Sequence, residues 1–69
     1  MQGNPMEHQF NVQGMTCGHC EKAVRQALLA TDPDAHVQID RSTGDVRVQS
    51  TATRDALAGA IRAEGYTVA

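Results

Sequence analysis

Three segments of this 69-residue chain alternate apolar and polar residues with a period of two. Phe10 and Val12 oppose Gln9, Asn11 and Gln13; Val37 and Ile39 oppose His36, Gln38 and Asp40; Val46 and Val48 stand between Asp45, Arg47 and Gln49. Such alternation marks a strand with one buried and one wetted face. A sheet built from these strands can be covered on one side only, so any helices must share that side.

Helical periodicity fills the gaps. Cys20, Val24, Ala27 and Leu28 recur at helical spacing, predicting a helix that begins near Gly18 or His19 and runs to about Ala30, with Lys22, Arg25 and Gln26 outside the apolar stripe. Pro33, flanked by Asp32 and Asp34, cannot continue it. Arg41 to Gly44 reads as a hairpin turn between the second and third strands. Thr53 is a natural N-cap for a second helix and Asp55 suits its positive end; Leu57, Ala60 and Ile61 follow on one face, with Glu64 at the rim and Gly65 as the stop. Tyr66 to Ala69 forms a short last strand. The order βαββαβ predicts an α+β, ferredoxin-like domain, a four-stranded antiparallel sheet with two helices on one face. Right-handed crossovers then bring the first strand-to-helix loop and the loop entering the last strand to one end, which places Tyr66 near the cysteines.

Size and charge bound the function. The chain is one domain: residues 1–6, with Gly3, Asn4 and Pro5 and no periodicity, read as a flexible leader, and residues 7–69 as the folded unit. There is no apolar run of membrane-spanning length, and the start lacks the basic and apolar regions of a signal peptide, so a cytoplasmic protein without membrane insertion is expected. A net charge of -2 argues against non-specific nucleic-acid binding. RNA recognition on the wet sheet face fails too, because Gln9, Asn11, Gln38, Arg47 and Gln49 offer no aromatic stacking surface.

The chemistry concentrates in Gly14-Met15-Thr16-Cys17-Gly18-His19-Cys20. With Cys17 just before the helix and Cys20 in its first turn, the sulfurs can converge on a soft ion or on each other, and the helix N-terminus favours their thiolate forms. A closed structural zinc site wants four protein ligands, and only two thiols are present. An open, exchangeable site for Cu(I) suits this donor set better. His19 is a candidate third ligand or tuner. Met15 resembles a soft ligand but suits a core plug that holds the loop. Tyr66 is either a rim aromatic or a shield and hydrogen-bond donor at the sulfurs, while His8 and His36 read as surface residues far from the loop. Lys22 and Arg25 form a solvated helix face that could dock an acidic partner. A thiol-disulfide oxidoreductase is the alternative, since Cys-Gly-His-Cys also suits disulfide isomerases; no Trp precedes Cys17, and the chain is short for a thioredoxin fold.

The heptapeptide resembles the GMxCxxC loop of the heavy-metal-associated domain family, and Gly65-Tyr66 with Val68 resembles the C-terminal end of that family's bacterial copper chaperones. The resemblance covers residues from about 8 to 69. It implies a Cu(I) carrier without catalytic turnover, with Cys17 and Cys20 as ligands and Met15, His19 and Tyr66 as auxiliary residues. The ion would pass by ligand exchange to the cysteine-pair metal-binding domain of a copper-transporting P-type ATPase. The chain would be a monomer without metal, with a copper-bridged dimer as a candidate assembly. Thr16 stands where zinc-directed members often carry an acidic residue, which favours copper over zinc or cadmium. A mercury or zinc carrier, or a metal-binding domain of an ATPase, are the neighbouring alternatives.

Overall fold

The computed structural model describes residues 6–69. Along the chain these form β1 (Met6–Gln13), α1 (Gly18–Thr31), β2 (His36–Asp40), β3 (Asp45–Ser50), α2 (Arg54–Ala63) and β4 (Thr67–Val68). Residues 1–5 of the expected leader lie outside the described residues, and Met6 opens β1 one residue before the alternation predicts. The strands lie in the order β2-β3-β1-β4. All three pairings are antiparallel, with Phe10 opposite Val46 and Ile39 also opposite Val46 across the other side of β3.

This register sorts the side chains. Phe10, Val12, Val46 and Val48 point to one side and join Val24, Leu28, Leu57, Ala58 and Ile61 in a single core, so both helices cover the same face as the one-sided strands require. On the other face Gln9, Arg47 and Gln38 form one cross-strand row, and all three are exposed. Val37 and Ile39 are only half-buried, because β2 is an edge strand. Within α2 it is Ala58, and not the expected Ala60, that is fully buried with Leu57 and Ile61. Leu28 has no solvent exposure and sits where α1 meets the sheet and α2. Leu28→Ala is expected to destabilise the fold by about 3 kcal/mol, read as a lowered urea midpoint with an unchanged slope.

Local chemistry sets the ends of the elements. The Thr53 hydroxyl accepts the Ala56 N–H at 3.1 Å and caps α2, as its sequence position predicts. At the end of α1 the buried Ser50 hydroxyl donates to Asp32 Oδ2 at 2.5 Å and accepts the Ala52 N–H at 3.0 Å, tying the α1–β2 and β3–α2 connections together. The Ser50 hydroxyl, with the Asp34 amide second, holds the Asp32 carboxyl below its usual range. Gly44 closes the hairpin at φ +76, and an added Cβ would stand 2.5 Å from the Val12 carbonyl oxygen, so only glycine fits.

One reading of the strands needs correction. Its sequence setting places His8 at the surface, but it is half-buried beneath the helices, and its Nε2 is shielded from solvent with no hydrogen-bond partner among the described residues. The cause is parity: residue 8 falls on the same side of β1 as Phe10 and Val12. His36 is exposed, as expected.

Candidate metal centre

The loop between β1 and α1 is held from below. Gly14 turns the chain at φ +100, a region that side chains other than glycine rarely adopt. Met15 then plunges into the core with only 7 % of its surface exposed. It therefore acts as the plug that fixes the loop, and its thioether is turned away from solvent.

Beyond that anchor the chain returns to the surface. Cys17 is exposed and extended, with φ -155 and ψ 174, at the N-cap of α1, where its carbonyl accepts the N–H groups of Cys20 at 3.1 Å and Glu21 at 3.2 Å. Its side chain is thereby left free. Cys20 lies in the first helical turn, half-buried against the core. The two sulfurs are 3.7 Å apart, far beyond the roughly 2.05 Å of a disulfide and close enough for one ion to touch both through bonds of about 2.3 Å.

Tyr66, in the turn before β4, completes the neighbourhood as the topology predicts. Its ring packs on Gly14, where a Cβ would lie 3.3 Å from the ring. Hydrogen bonding from the Tyr66 hydroxyl is the largest influence on the Cys20 thiol; backbone amides of Thr16 and Cys17 and the Cys17 side chain add to it, and together they outweigh desolvation and pull Cys20 down to about 6. The reciprocal effect pushes Tyr66 up to about 12, through its bond to Cys20, desolvation and repulsion from Cys20, Cys17 and Glu64. Cys20 is thus a thiolate at neutral pH while Tyr66 keeps its proton. The amides that contribute are those of Thr16 and Cys17, which precede α1, and a side chain from the far end of the chain contributes more than either.

The remaining candidates fall outside the sulfur pair. His19 is exposed, and among the described residues no group of three His, Cys, Asp or Glu side chains converges, so the imidazole does not complete a triad with the two cysteines. Lys22 is exposed on α1. Arg25 is tied down: its Nη1 donates to the Val37 carbonyl at 3.1 Å and its Nη2 lies 3.6 Å from Glu21 Oε2. Glu21 also receives Arg41 Nε at 3.5 Å, which links the β2–β3 turn to the start of α1. Arg41 borders an open hollow of about 280 Å³ with Met15, Thr16 and Ser42, next to Cys17. Sequence spacing did not single out this residue, although the antiparallel pairing of β1 with β3 puts the β2–β3 turn and the cysteine loop at the same end of the sheet.

Comparison with known proteins agrees with this geometry. The heavy-metal-associated domain model matches residues 9–67. The chain is 38% identical over 62 residues to the copper chaperone CopZ of Staphylococcus aureus, covering 86% of this chain and 91% of the relative. Among solved structures, a single-substitution form of the copper chaperone Atx1 from Synechocystis PCC6803, in a trimeric Cu1 state, superposes with a TM-score of 0.87 at 32% identity, covering 90% of this chain and 98% of that one. A CopZ metallochaperone superposes with a TM-score of 0.82 at 32% identity, covering 93% and 100% of the respective chains.

Proposed function

The chain belongs to the heavy-metal-associated domain family, and from that premise we propose that it is a Cu(I) chaperone that carries one ion on Cys17 and Cys20. The observation that carries the proposal is the sulfur pair itself: two free thiols 3.7 Å apart on an exposed loop, one of them drawn to the thiolate form by Tyr66. Thiolates select soft ions, and two of them leave coordination positions open. Relatives and neighbours named for copper support the choice of ion.

Open coordination is what transfer requires. An incoming thiolate from an acceptor adds to the ion before a bond to Cys17 or Cys20 breaks, so copper moves without being released to water. Cys17, the more exposed sulfur, is the first accessible to the acceptor. The acceptor is the cysteine-pair domain of a copper-transporting P-type ATPase, and the same sharing between two copies of this chain would give a copper-bridged dimer. Lys22 provides the freer charge for docking, because Arg25 is engaged by Glu21 and Val37. His19 stands at the rim, where it can tune the ion or shield it from one side, and residues 7–69 form the carrier. The compartment is the cytoplasm; no described helix is long and apolar enough to cross a membrane.

Anaerobic titration with Cu(I) against a competing chelator is expected to give one tightly bound ion per chain, with Zn(II) failing to displace it. Preference for Zn(II), or rapid turnover of a disulfide substrate in place of copper binding, would overturn the proposal.

A further inference from the structure

We propose a second soft-metal site at the opposite end of β1 from the cysteines, formed by the Met6 thioether and the His8 imidazole and taking a single monovalent cation of the Cu(I) or Ag(I) class. Register brings the two side chains together. Met6 lies opposite Ser50 and His8 opposite Val48, and both of those β3 residues are buried on the helix-covered side. Residues directly opposite in an antiparallel pair point to the same face, so Met6 and His8 are neighbours on that face, two residues and about 6.6 Å apart along the strand. A thioether on a flexible arm spans such a gap readily.

Each side chain has chemistry that the fold leaves unused. Met6 is 66% exposed, the one large hydrophobic residue among those described that the core does not cover. His8 Nε2 is the one buried side-chain nitrogen or oxygen among the described residues without a hydrogen-bond partner. Leaving such an atom unpaired is unfavourable, and a bound cation on the ring would offset it. The charged groups of Arg54 and Asp32 are engaged elsewhere. Arg54 lies 4.4 Å over the Phe10 ring and donates to the Gln9 carbonyl at 2.9 Å, and Asp32 holds the Ser50 hydroxyl. Asp32 nevertheless places a carboxylate near this end of the sheet, where a cation would be favoured.

The donor types set the ion and the order of filling. A thioether with a neutral imidazole suits soft monovalent ions and offers nothing to Mg(II) or Ca(II). Neither ligand carries charge, so the site is weaker than the thiolate pair and loads after it. Five steps of β1, about 17 Å, separate His8 from Gln13, beyond which the cysteine loop begins, too far for one ion to be shared.

The test uses the full chain carrying Cys17→Ser and Cys20→Ser, titrated with Ag(I) and followed by the methionine methyl and histidine ring resonances. One equivalent is expected to move the Met6 methyl and His8 ring signals together, with the circular dichroism unchanged. In the native chain the same signals move only after a first equivalent has bound. Met6→Leu and His8→Phe should each abolish the response. Met6→Leu alters an exposed side chain and so decides the matter even if His8→Phe disturbs the fold. Shifts confined to Met1, Met15 or His19, no shift at several equivalents, or binding that survives Met6→Leu would each overturn the site. None of these results bears on the cysteine pair, which is absent from the tested chain.

Discussion

Cys20→Ser is expected to lower the Cu(I) affinity of this chain by at least about a thousandfold, equivalent to about 4 kcal/mol. The reason is the thinness of the donor set. Two sulfurs 3.7 Å apart are the whole of the convergent set, with Met15 buried in the core and no triad of ionisable ligands among the described residues. A serine hydroxyl is a hard donor that does not ionise at neutral pH, so it cannot replace a thiolate on a soft ion. Cys17→Ser should lose copper to a similar degree but differ in one respect. It retains Cys20, still beside the Tyr66 hydroxyl, so the remaining thiol should stay reactive toward alkylating reagents near neutral pH. Chelator competition measures the first effect and alkylation rate the second. If either variant kept native affinity, the sulfur pair would not be the site.

The scaffold was legible because its strands are one-faced. Alternation in β1, β2 and β3 located the strands, showed which residues enter the core and required both helices on one side, and the structure agrees in each respect. The cap at Thr53 and the turn at Gly44 followed from local chemistry. Where the reading failed, packing outweighed pattern. Ala60 and Ala58 are both small and apolar, and only the rotation of α2 over the sheet decides which is buried. β4 shrinks to Thr67 and Val68, so Tyr66 precedes the strand and its side chain is free to lie on Gly14. His8 could have been placed correctly from its parity with Phe10; its polar character hid the signal.

The candidate site was legible in the residues that converge and less so in its energetics. Loop position and spacing identified Cys17 and Cys20, and crossover handedness brought Tyr66 to them. What spacing could not reveal was cause. The Cys20 thiol is lowered, and the tyrosine hydroxyl exceeds the backbone amides in lowering it. Arg25 illustrates the converse. A cation outside the apolar stripe looks available to a partner, yet its reach to the Val37 carbonyl caps the open edge of β2 and leaves Lys22 as the freer charge.

Tyr66→Phe is expected to move the Cys20 titration upward from about 6 toward the ordinary thiol value of 9.0 while leaving the fold intact. The substitution keeps the ring that packs on Gly14 and removes only the hydroxyl. Because Tyr66 is itself pushed up to about 12, that hydroxyl is a donor at every pH where Cys20 titrates, so its loss is felt throughout. A thiol lowered in the folded state adds stability that is full above the unfolded value of 9.0 and is lost as pH falls through about 6. Native stability should therefore rise between these limits, and the variant should show a flatter rise. Protons would also compete with copper more strongly in the variant. At pH 7 its apparent affinity should fall by up to about a hundredfold, with the deficit shrinking as the pH is raised. Thiolate absorbance against pH reads the first effect, and chelator competition at two pH values reads the second. Tyr66→Ala removes the ring as well and should weaken binding at high pH too, where proton competition has vanished. A Cys20 midpoint unchanged in Tyr66→Phe would assign the activation to the loop amides, and would reduce Tyr66 to a packing residue on Gly14.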